Sequence, residues 1–222
     1  MGGSSGFPID LVLFGMIALF LVLRLRSILG KRTGYEHPPQ PYIAQDAPAR
    51  GPTIDGRAEP APPPVSRLLP DPASPAGVAL LRMQDVDRNF SPPGFLDGAE
   101  KAFRLIVTAF AAGDRATLRN LLADDTFHAF EAAVAARETA GHRQQSEIRA
   151  IPSATVEAAS LAGTTATITV RFVSDQISLT VDANGNPVSG TDAVTEITDL
   201  WSFERDLSKP DPAWRLVSAR SA

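Results

Sequence analysis

Apolar residues follow three successive patterns along the chain. Residues 7–23 form an almost unbroken apolar run, FPIDLVLFGMIALFLVL, in which Asp10 is the only charged residue. A polar, proline-rich stretch follows, and from about residue 76 the apolar positions recur first with helical and then with strand periodicity. These patterns predict a short tail (1–6), a transmembrane anchor with a basic end (7–30), a disordered linker (31–75) and one folded domain (76–222).

The apolar run and the charges beside it predict a single membrane-spanning helix. Its 17 residues are close to the shortest length that crosses a bilayer as a helix. A cleaved signal peptide is the main alternative, but it would carry positive charge before the apolar region, where this chain has MGGSSG. Basic residues stay on the cytoplasmic side, so we expect an inner-membrane protein of a bacterium with its N-terminus outside and its domain in the cytoplasm. The basic cluster is also expected to attract anionic lipid, and it consists of Arg24, Arg26, Lys31 and Arg32.

The stretch after the anchor is dominated by proline. Residues 33–94 contain fourteen of the nineteen prolines. Sequence this poor in apolar residues cannot bury enough surface to offset the entropy lost on ordering, and proline keeps it extended. We therefore predict a tether, while PAPPPV at residues 60–65 leaves open a role as a proline-motif ligand.

The first half of the domain has the periodicity of helices. A helix is predicted over residues 76–90, ended by Ser-Pro-Pro-Gly. Asp114 is expected to cap a short helix, and Asp124 or Asp125 a further one that stops at Gly141. The clearest helix ends at a glycine, Gly113, and its apolar stripe consists of Leu96, Ala99, Phe103, Ile106, Val107 and Phe110.

Periodicity changes from helical to alternating after His142. Ala166, Ile168, Val170 and Phe172 alternate with more polar residues, and Ile177, Leu179 and Val181 continue the pattern. DANGNP at residues 182–187 predicts a hairpin turn. The next strand has one face formed by Thr195, Ile197, Asp199, Trp201, Phe203 and Arg205, and a last strand contains Trp214 and Leu216. Helices followed by antiparallel strands predict an α+β domain with helices packed on one face of a curved sheet.

Charge and composition exclude several classes of function. The net charge of −4 divides into +3 for residues 1–32, −2 for 33–75 and −5 for the remainder. An acidic domain argues against nucleic-acid binding, which needs a basic surface. Because the chain has no cysteine, disulfide, iron–sulfur and zinc–thiolate sites are excluded.

Residues with catalytic potential are few and scattered. The histidines, His37, His128 and His142, lack metal-ligand spacing, and there is no glycine-rich phosphate loop. Arg171, Asp199 and Arg205 are the best polar candidates because they share strand faces with apolar residues and could point into the fold, where we expect structural ion pairs. We predict no enzymatic activity and no cofactor.

Two stretches of the domain resemble the Tim44-like family, which is named for a mitochondrial inner-membrane import subunit and includes bacterial membrane-anchored members. The specific marks are F-x-x-G-D-x-x-x-L-x-x-L-L at residues 110–122 and W-S-F-E-R-D…D-P-x-W at residues 201–214. The resemblance implies a cone-shaped fold like that of nuclear transport factor two, lipid contact, and an adaptor or tether role for membrane protein complexes in translocation or membrane-protein biogenesis. Chaperone recruitment is not implied, because the corresponding N-terminal region of the import subunit has no counterpart here.

The resemblance also implies an apolar pocket for lipid or a partner. Nine residues are candidates for lining it, although ordinary core is the other interpretation: Phe103, Ile106, Phe110, Phe130, Val170, Phe172, Ile197, Trp201 and Phe203. Leu80, Leu81 and Met83 are candidates for membrane contact. The alternative function is a small-ligand carrier or enzyme that uses the pocket. Convergent polar groups would favour that alternative, whereas an open apolar pocket would favour the adaptor.

Overall fold

The computed structural model describes residues 66–222. The predicted anchor at 7–30, its basic cluster and residues 31–65 of the predicted linker lie outside the described residues. Within 66–222, no helix combines the length and the apolar character needed to cross a membrane.

Five strands form one mixed sheet, with the helices inserted between its first and second strands. The order across the sheet is the order along the chain; the first strand is parallel to the second, and the other neighbours are antiparallel. This confirms the predicted α+β class. The elements are β1 (Ser66–Leu68), α1 (Pro75–Val86), α2 (Pro92–Ala112), α3 (Arg115–Leu121), α4 (Asp124–Thr139), β2 (Arg143–Ala162), β3 (Thr165–Val181), β4 (Pro187–Asp206) and β5 (Arg215–Ser221).

Local capping explains where the helices begin and end. The Ser91 hydroxyl accepts a hydrogen bond from the Gly94 amide at 3.3 Å, and Pro92 stands in the first turn of α2. Gly113 ends α2 in the left-handed conformation, with φ of 72°. Asp114 caps α3 as predicted, and its carboxylate accepts from the Thr117 amide at 3.0 Å.

The start of α4 differs from the prediction. Its N-cap is Ala123, which makes no side-chain hydrogen bond, while Asp124 and Asp125 lie in the first turn. Carboxylates in that turn still interact favourably with the positive end of the helix dipole, so the two residues favour the helix start without capping it.

The inner face of the sheet carries the core. Alternate residues of β3 from Ala166 to Gln176 are buried, and those between are half-buried. Val170 pairs with Trp201 across the β3–β4 ladder, so both lie on that inner face. The Phe103 ring of α2 stacks on Phe172 of β3 at 4.5 Å between centroids. The stripe of α2 and the alternating face of β3 therefore meet to form a single core.

Strand β2 has no counterpart in the predicted elements. Over 143–150 exposed and half-buried residues alternate, and no residue there is fully buried. The strand pairs with β3 along its length, with register shifts at three places between Ile148 and Ala158. Its polar first half lacks the apolar alternation that indicates a strand.

The folded part begins earlier than the predicted boundary at residue 76. Residues 66–75 fall within the predicted linker, yet β1 pairs with β2 and the Asp71 carbonyl oxygen accepts a hydrogen bond from the Ser74 amide at 2.9 Å. Pairing with a distant strand supplies the hydrogen bonds that this segment cannot make locally.

Candidate functional site

A cavity of about 410 Å³ opens between α2, α3 and the loop that joins β4 to β5. The loop between α1 and α2 forms one rim, and residues 212–214 form another. This is a size typical of small apolar binding sites in proteins.

Small residues on α2 create the space. Gly94, Gly98, Ala99 and Ala102 line the cavity and lie close together on one face of the helix. A Cβ added at Gly98 would meet no atom within 4 Å. The cavity therefore exists because this face of α2 lacks large side chains.

Aromatic rings form the apolar wall. The Trp214 ring contacts Phe95 in a T-shaped arrangement at 4.7 Å and Phe90 at 5.8 Å between centroids. Phe95 also meets Phe203 of β4 edge-on at 6.0 Å. These four aromatic residues, from the α1–α2 loop, α2, β4 and the β4–β5 loop, offer a preformed surface to an apolar group.

The polar rim contains a fixed arginine. Arg205 lines the cavity, and its Nη2 lies 3.1 Å from Asp87 Oδ2, with both side chains 12% exposed. Its Nε donates to the Asp211 carbonyl oxygen at 3.1 Å. The ion pair expected of Arg205 is thus present, and it joins β4 to the end of α1. Asn89, Ser91 and Asn120 are the other polar residues of the lining.

Residues 76–221 match the family model of the Tim44-like domain. The chain belongs to the Tim44-like domain family. The match covers more than half of the chain and confirms the resemblance seen in the sequence.

Two solved structures are similar to this Tim44-like chain. The intermembrane-space region of the chloroplast protein ARC6 is 12% identical, and the match covers 60% of this chain and 97% of that one with a TM-score of 0.45. An NTF2-like family protein from Streptomyces avermitilis is 16% identical, with 59% and 96% covered and a TM-score of 0.35. Similarities of this size do not bear on function. Among curated proteins, none matches the chain by sequence.

The motif at residues 110–122 that marks the Tim44-like family is mainly structural. Gly113 and Asp114 make the turn between α2 and α3, and Leu118 and Leu122 are buried in the core. Leu121 instead lines the cavity. In the second motif, Trp201 belongs to the core and Trp214 to the cavity wall, so both motifs contribute to the site.

Most of the nine predicted pocket residues pack elsewhere in the Tim44-like domain. Of the nine, Phe203 lines the cavity. Five others are core residues exposed by 6% or less, which is the second interpretation left open by the sequence: Phe103, Ile106, Val170, Phe172 and Trp201. Phe110 and Phe130 form a T-shaped pair at 5.1 Å beside the core, and Ile197 is half-buried on β4.

Of the three candidates for membrane contact, two are buried and one is exposed. Leu80 and Met83 are 5% and 0% exposed and belong to the core, which is incompatible with membrane contact. The reason is that the face of α1 that carries them packs inward. Leu81 is 52% exposed and Val78 is 45% exposed, so the outer side of α1 carries different apolar residues.

The structure also shows the contacts of the other two polar candidates, Arg171 and Asp199. Arg171 lies on the outer face of the sheet and pairs with Glu157 through its Nε at 3.0 Å, so it does not point into the fold. Asp199 accepts a hydrogen bond from the Ser221 hydroxyl at 3.2 Å. Within 66–222, no group of three or more acidic or histidine side chains is arranged to hold a metal ion.

Sequence reasoning missed the small-residue face of α2. The signal was present, because Gly94, Gly98 and Ala102 recur every four residues and therefore share a helix face. Such spacing does not reveal whether another helix or open space faces it. The sequence places Trp214 in a motif and in the last strand, whereas in the structure it precedes β5 and lines the cavity.

Proposed function

We propose that this protein is a non-enzymatic, membrane-anchored adaptor or tether that acts in protein translocation or membrane-protein biogenesis at the bacterial inner membrane. Membership of the Tim44-like domain family over residues 76–221 carries the proposal. The apolar run at 7–23 and the basic residues after it support an anchor, with the domain on the cytoplasmic side.

The cavity suggests how such an adaptor would hold a partner. Its wall is aromatic, its floor has almost no side chains, and its arginine is already paired with Asp87. A site of this kind suits one large apolar group, such as a side chain of a membrane protein complex or part of a lipid.

Site-specific crosslinking in native membranes tests the adaptor role. A photoreactive amino acid at Ala213 lies in the cavity rim, and the same group at the exposed Ala158 of β2 is the matched control. We expect crosslinks to subunits of translocation or insertion machinery from 213 and not from 158. Equal crosslinks from both positions, or crosslinks only to soluble enzymes, would contradict the proposal.

Protease protection tests the topology separately. In spheroplasts, protease added from outside should leave the domain intact, because the basic cluster follows the apolar run. Digestion of the domain from outside would contradict the cytoplasmic location. The adaptor would then have to act on the outer side of the membrane.

A small-ligand carrier is the second candidate, and Asn89, Ser91 and Asn120 at the rim favour it. Native mass spectrometry of the purified chain is the test. A small molecule retained by the wild type and lost in a Gly98→Leu variant would support the carrier over the adaptor.

A further inference from the structure

Strand β1 occupies the edge of the sheet without joining the core. Its three residues pair in parallel with β2, Ser66 with Ser153, Arg67 with Ala154 and Leu68 with Thr155. Arg67 and Leu68 are both exposed, and neither belongs to the core. The strand is therefore held by its backbone and by one side chain.

That side chain is Arg67, which is bound by two carboxylates of α2. Its Nη1 lies 2.9 Å from Asp97 Oδ1, and its Nη2 donates to Glu100 Oε2 at 3.0 Å. The Glu100 side chain is only 12% exposed, and its other oxygen is 3.6 Å from Arg104 Nη2. The sheet edge thus has a built-in acceptor for one basic residue.

This edge is distinct from the cavity. Asp97 and Glu100 are not among the residues that line the cavity. At about 100° per residue, Glu100 points roughly 120–160° away from Gly94 and Gly98 on α2, while Asp97 is closer to Gly94, at about 60°. An occupant of the edge and an occupant of the cavity would therefore contact different residues of the same helix.

The contacts of β1 are weak enough to be exchanged. Three residues of pairing gain little net free energy after their ordering cost. The ion pairs add little more, because the Arg67 side chain that they share is 44% exposed to solvent. The strand stays in place largely because residues 69–74 connect it to α1 and keep its local concentration high. Replacing it would leave the core untouched.

We propose that the β2 edge at Ser153–Thr155, together with Asp97 and Glu100, is a strand-addition site for an extended partner segment that carries one arginine or lysine. β1 occupies this site in cis. The carboxylate pair and the net charge of −5 on residues 76–222 favour a basic segment. The β2 edge supplies the backbone hydrogen bonds once β1 leaves it. The proposal goes beyond the adaptor role, because it assigns a partner class to a surface that role does not use.

A disulfide lock provides the first test. The natural chain has no cysteine, so Leu68→Cys with Thr155→Cys introduces the single pair across β1 and β2. The probe is a dye-labelled peptide of residues 64–71, PVSRLLPD, added to the full chain in lipid nanodiscs. We expect the reduced protein to bind the peptide and the oxidised protein to lose at least tenfold in affinity, with recovery after reduction.

Two further variants make the test independent of the lock. Replacing residues 66–68 with Gly-Ser-Gly removes the occupant in cis and should raise peptide affinity at least threefold. In that background, Asp97→Asn with Glu100→Gln should lower affinity by about fivefold, and a peptide with Glu in place of the arginine should not bind.

Three outcomes would overturn the proposal. Equal peptide binding by locked and reduced protein would place the peptide elsewhere. No binding by the Gly-Ser-Gly variant would mean that the edge accepts no strand. Disulfide-linked dimers in place of the intrachain bond would show that the occupant is β1 of a second copy.

Discussion

The Arg137 guanidinium of α4 donates from Nη2 to the Phe110 carbonyl oxygen at 2.7 Å, at the C-terminal end of α2. The same nitrogen reaches the Ala111 carbonyl at 3.1 Å, and the guanidinium carbon lies 5.0 Å from the centre of the Phe110 ring. Carbonyls in the last turn of a helix lack partners within it and form the negative end of its dipole, so a cation there is favourable. Burial lowers the pKa of Arg137, but a guanidinium starts so high that it stays charged.

Replacing Arg137 should therefore loosen the contact between α2 and α4. For Arg137→Met we expect a loss of about 2 kcal/mol in the free energy of unfolding, since two partly buried carbonyls lose a charged donor. Urea denaturation of a fragment covering 66–222 measures it. Arg82→Met on the exposed side of α1 is the control and should change stability by less than about 0.5 kcal/mol. Equal losses of stability in the two variants would show that the contact between Arg137 and the end of α2 does not stabilise the fold.

Trp201 should be the more important tryptophan for stability. It is 6% exposed, and its ring meets Phe103 at 4.6 Å. Trp201→Ala should cost roughly 3–5 kcal/mol, because it leaves a large cavity in the core. Trp214→Ala, at the cavity wall, should cost less. A loss below about 1 kcal/mol for Trp201→Ala in the same denaturation experiment would be incompatible with its core position.

The same substitution at two helical glycines should have opposite effects. Gly98→Ala should stabilise the domain by about 1 kcal/mol, because alanine favours the helix and the added methyl group meets open space. Gly77→Ala should destabilise it by about 1–3 kcal/mol, because the methyl group would collide with the Asp71 carbonyl oxygen. Thermal unfolding of both variants checks the signs. A destabilised Gly98→Ala variant would mean that the space beside α2 is not open.

Asp206 should contribute to stability in a pH-dependent way. Hydrogen bonds from the Ser208 hydroxyl at 2.7 Å and the Thr164 hydroxyl at 2.8 Å help to lower its pKa from 3.8 to about 2. Since the folded pKa is depressed, the stabilisation is present above pH 3.8 and is lost as the pH falls to about 2.

The stability difference between wild type and Asp206→Asn should consequently shrink between pH 4 and pH 2, as measured by urea denaturation at each pH. Asp85→Asn is the control, because the exposed Asp85 makes no side-chain hydrogen bond or ion pair within 66–222. A constant difference for Asp206→Asn would mean that its carboxylate does not need its charge.

The domain fragment should bind anionic membranes partly through apolar contact. Residues 76–222 carry a net charge of −5, which disfavours a purely electrostatic attachment. Flotation of 66–222 with anionic liposomes should therefore persist as salt rises, although at 1 M salt electrostatic attraction reaches only ~3 Å.

The variant that tests this contact is Val78→Ser with Leu81→Ser, because both side chains are exposed on α1. Leu80→Ser is unsuitable, since it would disturb the core. We expect the double variant to float less than the wild type at every salt concentration. Absence of flotation by the wild type would leave the predicted anchor as the proposed membrane contact.

Elements governed by neighbouring residues were predictable from the sequence alone. The stripe of α2, the stop at Gly113, the alternation of β3 and the turn at 182–187 depend on interactions within a few positions. The family motifs are equally local, so family membership was also predictable.

Tertiary structure decided what lies far apart in sequence. It paired the polar half of β2 with β3, placed β1 at the sheet edge, and turned Leu80 inward while Leu81 faces outward. The cavity exists only because a small-residue face of α2 meets Trp214, more than a hundred residues later. Periodicity shows which face of an element is apolar. The packing of distant elements determines whether that face meets core, open space or solvent, because burial depends on the whole surface that closes around it.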